Sequence, residues 1–507
     1  MALEFVQEPI NSAQEVPVIT NWNPVIGYML KRNSSIASLF YYKLVFEVYV
    51  GTGVVASRLV AKLKQRRNGY TYDVTNNLAR AYFDMRDIVN SQLVDTIYDQ
   101  NSTLNKMKTI HKLGENNDAK IFSLNGDMMQ TYGDGTSEKA QLLNITVRGY
   151  ENYSDAANTS PTDDTSDAVT DQLYWMAGSL PLFQARDTDT DYLQGTPMRL
   201  YQMNDSAAYF LSDVQQSAGP IKSGTQYRNY VQDTDYHTIG FLNGEDDFDS
   251  LPKYFAVQYY DSDNALIDNS SDGSEINYFE NTEAKGGAKP ETGAGGQVDA
   301  DRKRLLYLGC GPANLQEQNA NYLIRPSYYP NWAYYKVYAT STNPTDPETV
   351  VKKSASYYFF KQDGSCKGFK VRRLAWRNSL GCWDYFNFKM KSEQTINVER
   401  NNYSTLIGEF NQSRFSYSNS SRGENTRQTS ATLEETLNTD WITEQDAELL
   451  EKLIVSTNVE IVENSDTEFT QGVMVADSSF VRKTIANDKM IRYTIKIKYA
   501  NPLNTNS

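Results

Sequence analysis

The chain contains very little histidine and cysteine. Its 507 residues include two histidines, His111 and His237, and three cysteines, Cys310, Cys366 and Cys382. The cysteine count is odd and no Cys-x-x-Cys spacing occurs, so neither a disulfide framework nor a zinc site is predicted. So few histidines disfavour histidine-based catalysis and most transition-metal chemistry. We therefore predict no catalytic, cofactor-binding or metal-binding residues, and no cofactor.

The sequence also predicts no targeting segment and no membrane-spanning segment. The first residues combine neither a basic stretch nor an apolar one, so no signal peptide is predicted. The most apolar run, around residues 38–55, is interrupted by Lys43 and Glu47. A spanning helix needs about 20 consecutive apolar residues. We expect a protein made in a cytoplasm, without membrane contact.

The short motifs that accompany common enzyme chemistries do not occur. There is no Walker A, GxGxxG, GxSxG or HExxH pattern. Residues 309–312 (GCGP) contain two glycines, but the proline and the lack of a following lysine exclude a phosphate-binding loop. We therefore predict that the protein is not an enzyme.

One acidic segment has a spacing that calcium loops use, with carboxylates at Asp187, Asp189 and Asp191. An EF-hand counted from Asp187 would need glycine at position 6 and glutamate at position 12, where the chain has Tyr192 and Met198. A weak surface calcium site is one interpretation and a solvated acidic loop is the other. We favour the loop.

Further charged segments support no specific chemistry. Acidic clusters at residues 245–249 and at Asp261 with Asp263 are also interpreted as solvated loops. A basic run is interleaved with Phe369, Val371 and Leu374, which favours the charged face of a strand or a subunit contact over nucleic-acid binding. Its members are Lys367, Lys370, Arg372, Arg373 and Arg377.

The net charge of −14 is unevenly distributed. Residues 151–300 contain 26 acidic and 7 basic residues, a net charge of −19, whereas residues 301–400 contain 8 acidic and 16 basic residues, a net charge of +8. This asymmetry predicts separate domains with opposite surface potentials. An acidic middle repels phosphates, so no nucleic-acid contact is expected. Head-to-tail packing between identical subunits is one use of the pattern, and a solvated acidic surface is the other.

Aromatic residues are abundant, with 36 tyrosines, 20 phenylalanines and 6 tryptophans. Residues 374–388 predict a β-hairpin in which Trp376 and Trp383 flank a turn at residues 378–381. After the turn, the side chains alternate with the period of a strand that buries one face. Tryptophans such as Trp332 could stack on sugars, but a core position is the commoner fate.

Strand patterns dominate the rest of the chain. We predict strands at residues 40–50, 57–63 and 69–74, a helix over 78–89, and an exposed loop at 151–170. Hairpins of similar pattern are predicted near residues 42–63, 254–267 and 334–360, with a flexible segment at 281–300. A capping-box start at Thr443 precedes a helix to about Ser456, and strands follow at 458–463, 472–477 and 491–499.

The predicted fold class is mainly β, with multiple β-sandwich-like modules and a minor α+β C-terminal part. Four regions are predicted: an N-terminal module with a short helix, an acidic middle domain, an aromatic domain, and a C-terminal helix with strands that complete the third domain. Their bounds are 1–150, 151–300, 301–430 and 431–507.

Three blocks, covering about a third of the chain, resemble tail-associated virion proteins of environmental and gut bacteriophages. They are GYTYDVTNNLARAYF (69–83), VRRLAWRNSLGCWDYFNFKMKSEQTINVER (371–400), and LNTDWITEQDAELLEKLIVSTNVEIV (437–462) with RYTIKIKYANP (492–502). The resemblance implies β-rich domains that assemble in rings around a tail or neck, such as a ring or muzzle component of a crAss-like phage. A baseplate or fibre-adaptor protein is an equal alternative. No functional residue is carried over.

We therefore expect a structural subunit of a tailed-phage virion, made in the host cytoplasm, whose partners are identical subunits and other virion proteins. Two alternatives remain: a carbohydrate-binding receptor at the tail tip, and a glycan-degrading tail protein. Hydrolysis of a glycan needs two carboxylates about 5–9.5 Å apart. With 63 acidic residues, such pairs arise by chance.

Overall fold

The computed structural model describes well over half of the chain. The described residues are 3–7, 18–19, 26–32, 38–50, 58–66, 72–73, 78–92, 110–112, 121–123, 142–176, 178, 201, 203, 205–214, 216, 229–242, 252–268, 276–281, 305–316, 324–342, 344, 350–362, 368–411, 413–463, 470–477, 479–481, 491–501 and 504–506. Strands dominate these residues, which confirms the mainly β fold class.

The chain divides into two compact units. The first comprises Met1–Gln362 and Asn378–Asp384, and the second comprises Asp363–Arg377 and Tyr385–Ser507. The division into four domains remains a prediction.

The first unit contains strands β1 to β17 and two short helices. The strands are β1 (Glu4–Gln7), β2 (Val18–Ile19), β3 (Ile26–Arg32), β4 (Phe40–Val50), β5 (Arg58–Arg66), β6 (Tyr72–Asp73), β7 (Leu78–Asp84), β8 (Ile121–Ser123), β9 (Leu142–Ser154), β10 (Thr162–Met176), β11 (Asn229–Val231), β12 (Thr238–Leu242), β13 (Tyr254–Tyr260), β14 (Asn277–Glu280), β15 (Leu305–Gly309), β16 (Tyr334–Thr340) and β17 (Tyr357–Lys361). The helices are α1 (Arg86–Asn90) and α2 (Pro312–Gln316), and single 3₁₀ turns lie at Ile110–Lys112 and Pro326–Tyr328.

These strands form four sheets, with neighbours in the orders β1-β3-β7-β6, β2-β10-β9-β4-β5, β11-β17-β16-β13-β14 and β12-β15-β8. One core includes residues of β4, β7 and β9, where Phe46 and Phe83 stack with ring centroids 5.0 Å apart. The predicted strand over 40–50 and its returning partner are confirmed by β4 and β5. The intervening Gly51–Gly53 turn lies outside the described residues.

The helix predicted over residues 78–89 is wrong. Residues 78–84 form strand β7, and only Arg86–Asn90 are helical. The side chains follow a period of two: Ala79, Ala81 and Phe83 are buried, whereas Tyr82 is 53 % exposed. Burial of one strand face therefore overrides the favourable helix-capping residues at 75–77.

The loop predicted over residues 151–170 is wrong for most of the segment, although its predicted exposure is confirmed for most residues from Asp155 onward. Most of this segment belongs to the antiparallel pair β9–β10. Its polar residues are held by cross-strand bonds: Asn152 donates a hydrogen bond of 2.7 Å to Asp163, which also forms a 2.7 Å ion pair with Lys62. A strand made of polar residues shows no alternation of apolar and polar side chains. The sequence of this segment therefore looks like that of a loop.

The aromatic strands predicted in the middle region and in the aromatic region are confirmed as β13 and β16. After β13, residues 261–264 form the expected turn, while residues 265–267 contribute an isolated bridge between Tyr260 and Leu266 instead of a full strand. The segment at 281–300, apart from Asn281, lies outside the described residues.

The second unit is one large sheet with a helix. Its elements are β18 (Arg372–Arg377), β19 (Trp383–Phe388, whose first two residues belong to the first unit), β20 (Glu393–Ser404), β21 (Glu409–Asn411), β22 (Arg414–Ser416), β23 (Glu424–Asn438), α3 (Glu444–Val455), β24 (Val459–Val462), β25 (Thr470–Val475), β26 (Thr494–Tyr499) and β27 (Asn504–Asn506). The sheet order is β19-β18-β24-β25-β26-β23-β20, β27 also pairs with β23, and β21 pairs with β22.

The C-terminal predictions are confirmed. Thr443 and Asp446 form a reciprocal capping box at the start of α3, and Leu450 and Leu453 are buried at helical spacing. In β26, Ile495 and Ile497 are buried, as expected for a strand with one apolar face.

The predicted hairpin around residues 374–388 is present as β18 and β19. Its turn is closed by a 2.8 Å hydrogen bond from the Asn378 amide to the Cys382 carbonyl, with Gly381 at a φ of 79°. The prediction of one buried face in β19 is wrong, because all six of its residues are buried. Alternating side chains such as Asp384 and Tyr385 are therefore both enclosed.

Replacing Trp383 tests whether this hairpin is core. Trp383 is 7 % exposed and meets the ring of His111 edge-on, with centroids 5.0 Å apart. We expect Trp383→Ala to lower the free energy of unfolding by about 3–5 kcal/mol in denaturant titrations. The matched control is Trp441→Ala, since Trp441 is 54 % exposed. Equal losses for the two variants would contradict the core assignment.

Candidate functional site: an exposed hairpin arm

The most exposed regular structure in the described chain is the hairpin formed by β20 and β23, which we call the hairpin arm (residues 393–438). All 12 residues of β20 are exposed. The two strands pair antiparallel from Glu393 opposite Thr436 to Ser404 opposite Glu424. A strand of this length is usually buried on at least one face, so its exposure needs an explanation.

Among the strands that the structure describes, β20 lies at an edge of its sheet and pairs with β23 alone. Its outer row of backbone N–H and C=O groups is therefore a template for pairing with another chain. Natural edges are often protected by proline or lysine, but β20 has neither, and its charged residues are Glu393, Glu399 and Arg400. The edge is thus open to strand addition.

The two faces of the arm differ in polarity. Residues opposite each other across an antiparallel pair share a face, so Ile396 with Leu433 and Val398 with Ala431 form one apolar stripe. Ile396 and Val398 are 58 % and 40 % exposed. Toward the base of the arm, the same face carries Gln394 opposite the buried Glu435, and then Leu437, which is fully buried. The stripe is therefore a separate apolar patch on the arm, where its side chains meet solvent.

The end of the arm, residues 405–423, carries a group of exposed apolar side chains, and we call it the arm tip. Phe410, Leu406 and Tyr417 are 81 %, 79 % and 71 % exposed. Phe410 and Phe415 lie opposite each other in the small pair β21–β22, with ring centroids 5.8 Å apart. A contiguous apolar surface of this kind is typical of a contact site.

The tip has a defined backbone. The Thr405 amide donates a 2.7 Å hydrogen bond to the Gly423 carbonyl, and the Thr405 hydroxyl donates one of 2.8 Å to the Arg422 carbonyl. Gly408 has a φ of +98°, and a Cβ there would lie 2.5 Å from the Ser416 carbonyl oxygen. Glycine is therefore required at this bend, which holds the apolar side chains in a fixed arrangement.

The base of the arm is held by one buried carboxylate, Glu435. It accepts hydrogen bonds from Tyr499 (2.6 Å), Arg372 (2.8 Å) and Gln394 (3.1 Å). These residues belong to β26, β18 and β20, so a single side chain of β23 connects four strands. Burial alone would raise the pKa of Glu435, but the hydrogen bonds from Tyr499, Gln394 and Arg372, together with the charge of Arg372, lower it below its usual value.

Beyond this base the arm has little support. β26 pairs with residues 434–438 and β27 with residues 429–431 of β23. From residue 401 to residue 428, the described part of the chain provides no third strand beside the hairpin. An isolated two-stranded hairpin is only marginally stable in water, so a contact with another molecule would stabilise this segment.

A second group of polar residues is buried in the first unit. The Ser212 hydroxyl donates to a carboxylate oxygen of Asp384, and the Asp213 amide donates a 2.9 Å hydrogen bond to the other. The Tyr357 hydroxyl lies 3.4 Å from the Ser212 oxygen and 3.2 Å from Nε2 of His237. This chain of hydrogen-bonding side chains resembles a proton relay.

The burial of this group favours a structural role. His237, Tyr357 and Asp384 are each 0 % exposed, so all three side chains are enclosed by the fold. Burial raises the pKa of Asp384 to about 7, and the nearby Asp213 carboxylate contributes to the rise. Asp213 in turn accepts a 2.9 Å hydrogen bond from the Ser379 amide. The network thus fixes the turn of the β18–β19 hairpin.

The sites weighed in the sequence have different outcomes. Asp187, Asp189 and Asp191, and residues 245–249, lie outside the described residues. Asp261 accepts hydrogen bonds from the amides of Asp263 (2.9 Å) and Ala265 (2.8 Å), so its carboxylate organises a turn.

The basic run forms contacts within the second unit. Lys370 lies 3.0 Å from Glu463, Arg372 pairs with Glu435, and Arg373 donates a 2.8 Å hydrogen bond to the Asn387 side chain. Lys367 lies outside the described residues.

Within the described ranges, no group of three or more His, Cys, Asp or Glu residues is placed to hold a metal ion. No helix among those residues has the length and apolar character needed to cross a membrane.

Sequence reasoning missed the hairpin arm because the arm has almost no hydrophobic period. The strand at 424–438 is rich in Thr, Glu and Asn, and its partner is exposed on both faces. The one available signal was the cluster of Leu406, Ile407, Phe410 and Phe415 around a glycine in an otherwise polar stretch.

Comparison with known proteins gives no family: no family model matches the chain, and no curated protein matches its sequence.

Replacing Glu435 tests its role at the base of the arm. We expect Glu435→Ala to lower the free energy of unfolding of the second unit by about 3–5 kcal/mol, because Tyr499 and Gln394 lose their acceptor and the buried Arg372 keeps only Glu463 as a carboxylate partner. The double variant Glu435→Leu with Arg372→Met should recover most of that loss in the same denaturant titration. If the double variant is as unstable as Glu435→Ala, the hydrogen bonds of Glu435 to Tyr499 and Gln394 matter more than its ion pair with Arg372.

The raised pKa of Asp384 predicts a pH dependence of stability. The pKa of this carboxyl is about 7 in the folded protein and about 3.9 in the unfolded chain. Between these values the folded state binds more protons, so the free energy of unfolding should fall as pH rises from about 4 to 7. Denaturant titrations across this range should show a flatter profile for Asp384→Asn than for the exposed control Asp155→Asn. Equal slopes would contradict this assignment.

Proposed function

We propose that the protein is a structural subunit of a tailed-phage virion, in the tail, neck ring or baseplate, and that it acts by oligomeric assembly. The observation that carries this proposal is the hairpin arm, which presents an open strand edge and an apolar tip in one projecting element. The resemblance of three sequence blocks to phage tail-associated proteins supports a tailed-phage virion as the assembly.

The apolar tip supplies a driving force of the right size. Full burial of a Leu or Phe side chain contributes about 1.5–3 kcal/mol. Leu406, Phe410 and Tyr417 are each more than two-thirds exposed, so a partner that covers them gains several kcal/mol. Association costs about 4–15 kcal/mol in lost translational and rotational freedom. The tip alone is therefore close to break-even, and a stable assembly needs further contacts.

The edge of β20 provides such contacts. Twelve exposed residues offer a ladder of backbone hydrogen bonds to a strand from a neighbour, and the stripe of Ile396 and Val398 lies beside it. Each protein hydrogen bond contributes about 0.5–1.5 kcal/mol net. Edge pairing also fixes the register and direction of the partner, which a ring or tube of identical subunits requires.

The test is the mass of the full-length protein in solution, measured by light scattering and accompanied by negative-stain images. We expect the wild-type chain to form a discrete high-order oligomer. The variant Leu406→Ser, Phe410→Ser, Tyr417→Ser should shift to monomer, because it removes the apolar contact and leaves the base of the arm intact.

The matched control replaces exposed apolar residues outside the arm, Val455→Ser and Val481→Ser, each 69 % exposed in the wild type. This control should assemble like wild type, and circular dichroism should show the same strand content in all three proteins. A wild-type chain that stays monomeric at high concentration, or a tip variant that assembles normally, would overturn the proposal.

A further inference from the structure

One face of the sheet β11-β17-β16-β13-β14 carries a row of aromatic residues. Register places Tyr230 opposite Phe360, Phe360 opposite Tyr334, and Tyr334 opposite Tyr260, so four neighbouring strands contribute one ring each. Tyr230 is 37 % exposed and the other three are half-buried. With strands about 4.8 Å apart, the row is about 14 Å long.

Three of the four rings stack on each other, whereas Tyr230 is tilted by 57° against Phe360. Tyr260 and Tyr334 are nearly parallel, at 4°, with centroids 4.8 Å apart, and Tyr334 stacks on Phe360 at 5.3 Å. Parallel rings so close cannot lie side by side in one plane, so they stand on edge with their faces together. Their edges, including the tyrosine hydroxyls, are then what the row presents. Such a surface favours hydrogen bonding over stacking.

Two lysines lie beside this row on the same face. Lys336 is two residues after Tyr334 in β16, and its ammonium lies 5.1 Å from the Tyr260 ring centroid. Lys352 bridges to Thr340 at the end of β16, and its ammonium lies 4.7 Å from the ring of Tyr338. The Lys336 ammonium is 5.7 Å from that same ring. Two cations therefore converge on one tyrosine.

Neither lysine has a carboxylate partner among the described residues. The groups that face Lys336 are Gln258 and Tyr260 on β13, Tyr358 on β17, and its neighbours Tyr338 and Lys352. Burial, followed by repulsion from Lys352, lowers the pKa of Lys336 to about 8, and burial also lowers the pKa of Lys352. Two half-buried cations whose described surroundings contain no anion are unfavourable, and a bound anion would relieve this.

Tyr338 adds a hydroxyl group between the two lysines. Its side chain is 2 % exposed, and both ammonium groups lie over its ring. Burial raises the pKa of Tyr338 to about 12, so the hydroxyl keeps its proton at neutral pH and can donate it to a ligand oxygen.

We propose that this face, centred on Lys336, Lys352 and Tyr338, binds the carboxylate or sulfate group of an acidic sugar, with the tyrosine row contacting neighbouring sugar hydroxyls. The two lysines supply charge complementarity, and the row of hydroxyl-bearing ring edges suits a ligand rich in hydroxyls. An acidic peptide fits less well, because it would add to a free strand edge, whereas this face lies across the middle of the sheet. The inference does not depend on oligomeric assembly.

The experiment uses calorimetric titration of the full-length protein with an oligosaccharide of galacturonic acid at neutral pH and low salt. We expect saturable binding that is weakened about tenfold or more in Lys336→Met and in Lys352→Met, since a hydrogen bond between charged groups is worth about 1.5–3 kcal/mol. The matched control is Lys353→Met, which removes the next lysine along the chain. It should bind like wild type.

A pH series on the wild-type protein provides a readout independent of any variant. Lys336 loses its proton above about pH 8 when free, so affinity should decline above that pH and not near the ordinary lysine value. By the same linkage, the oligosaccharide should raise the melting temperature more at pH 7 than at pH 9. Binding that stays constant to pH 10 would overturn the assignment to Lys336.

Further ligands decide the chemical class. A neutral galactose oligosaccharide of the same length should bind at least about tenfold more weakly, and equal binding would overturn the role of the anion. If inorganic sulfate binds as tightly as the acidic oligosaccharide, the proposed contacts between the aromatic row and the sugar hydroxyls are wrong. Binding of oligoglutamate without binding of the acidic sugar would overturn the proposal in favour of an acidic protein partner.

Discussion

The second unit depends on one buried carboxylate. Glu435 connects four strands, and its partners Arg372 and Tyr499 leave none of its charge in solvent. A buried ion pair of this kind is rarely more stabilising than apolar residues of the same shape. Its advantage is specificity: only one register of β20 on β23 brings Gln394 to the same oxygen as Tyr499. The direction in which the hairpin arm projects follows from that register.

The molecule thus places polar groups where apolar ones are usual, and apolar groups where polar ones are usual. Glu435 and Asp384 are buried with full hydrogen bonding, while Phe410 and Leu406 are exposed at the arm tip. Burying paired polar groups gives a unique arrangement with little gain in stability. Exposing apolar groups costs stability until a partner covers them. Both features are understandable in a subunit whose final environment is an assembly.

The sequence predicted strand β26 and the helix that begins at the capping box of Thr443, because alternation or helical spacing marks elements whose two sides meet different surroundings. It also predicted β4, which is buried on both faces over most of its length, from a run of β-branched and aromatic residues. It missed the buried second face of β19, the strand β20 that is exposed on both faces, and the polar pair β9–β10, which looks like a loop. The arm and the lysine pair were missed because contacts between distant residues define them.

The hairpin arm and the face centred on Lys336, Lys352 and Tyr338 would hold their ligands by different forces. The effect of salt on binding therefore distinguishes the two surfaces. Apolar contacts such as those of Phe410 are not weakened by simple salts and are strengthened by sulfate. The charge of Lys336 and Lys352 is screened as ionic strength rises, since the Debye length falls from about 10 Å at 0.1 M to about 3 Å at 1 M. An assembly that survives high salt while acidic-sugar binding is lost would therefore assign each activity to its own surface, because no single interface responds in both ways.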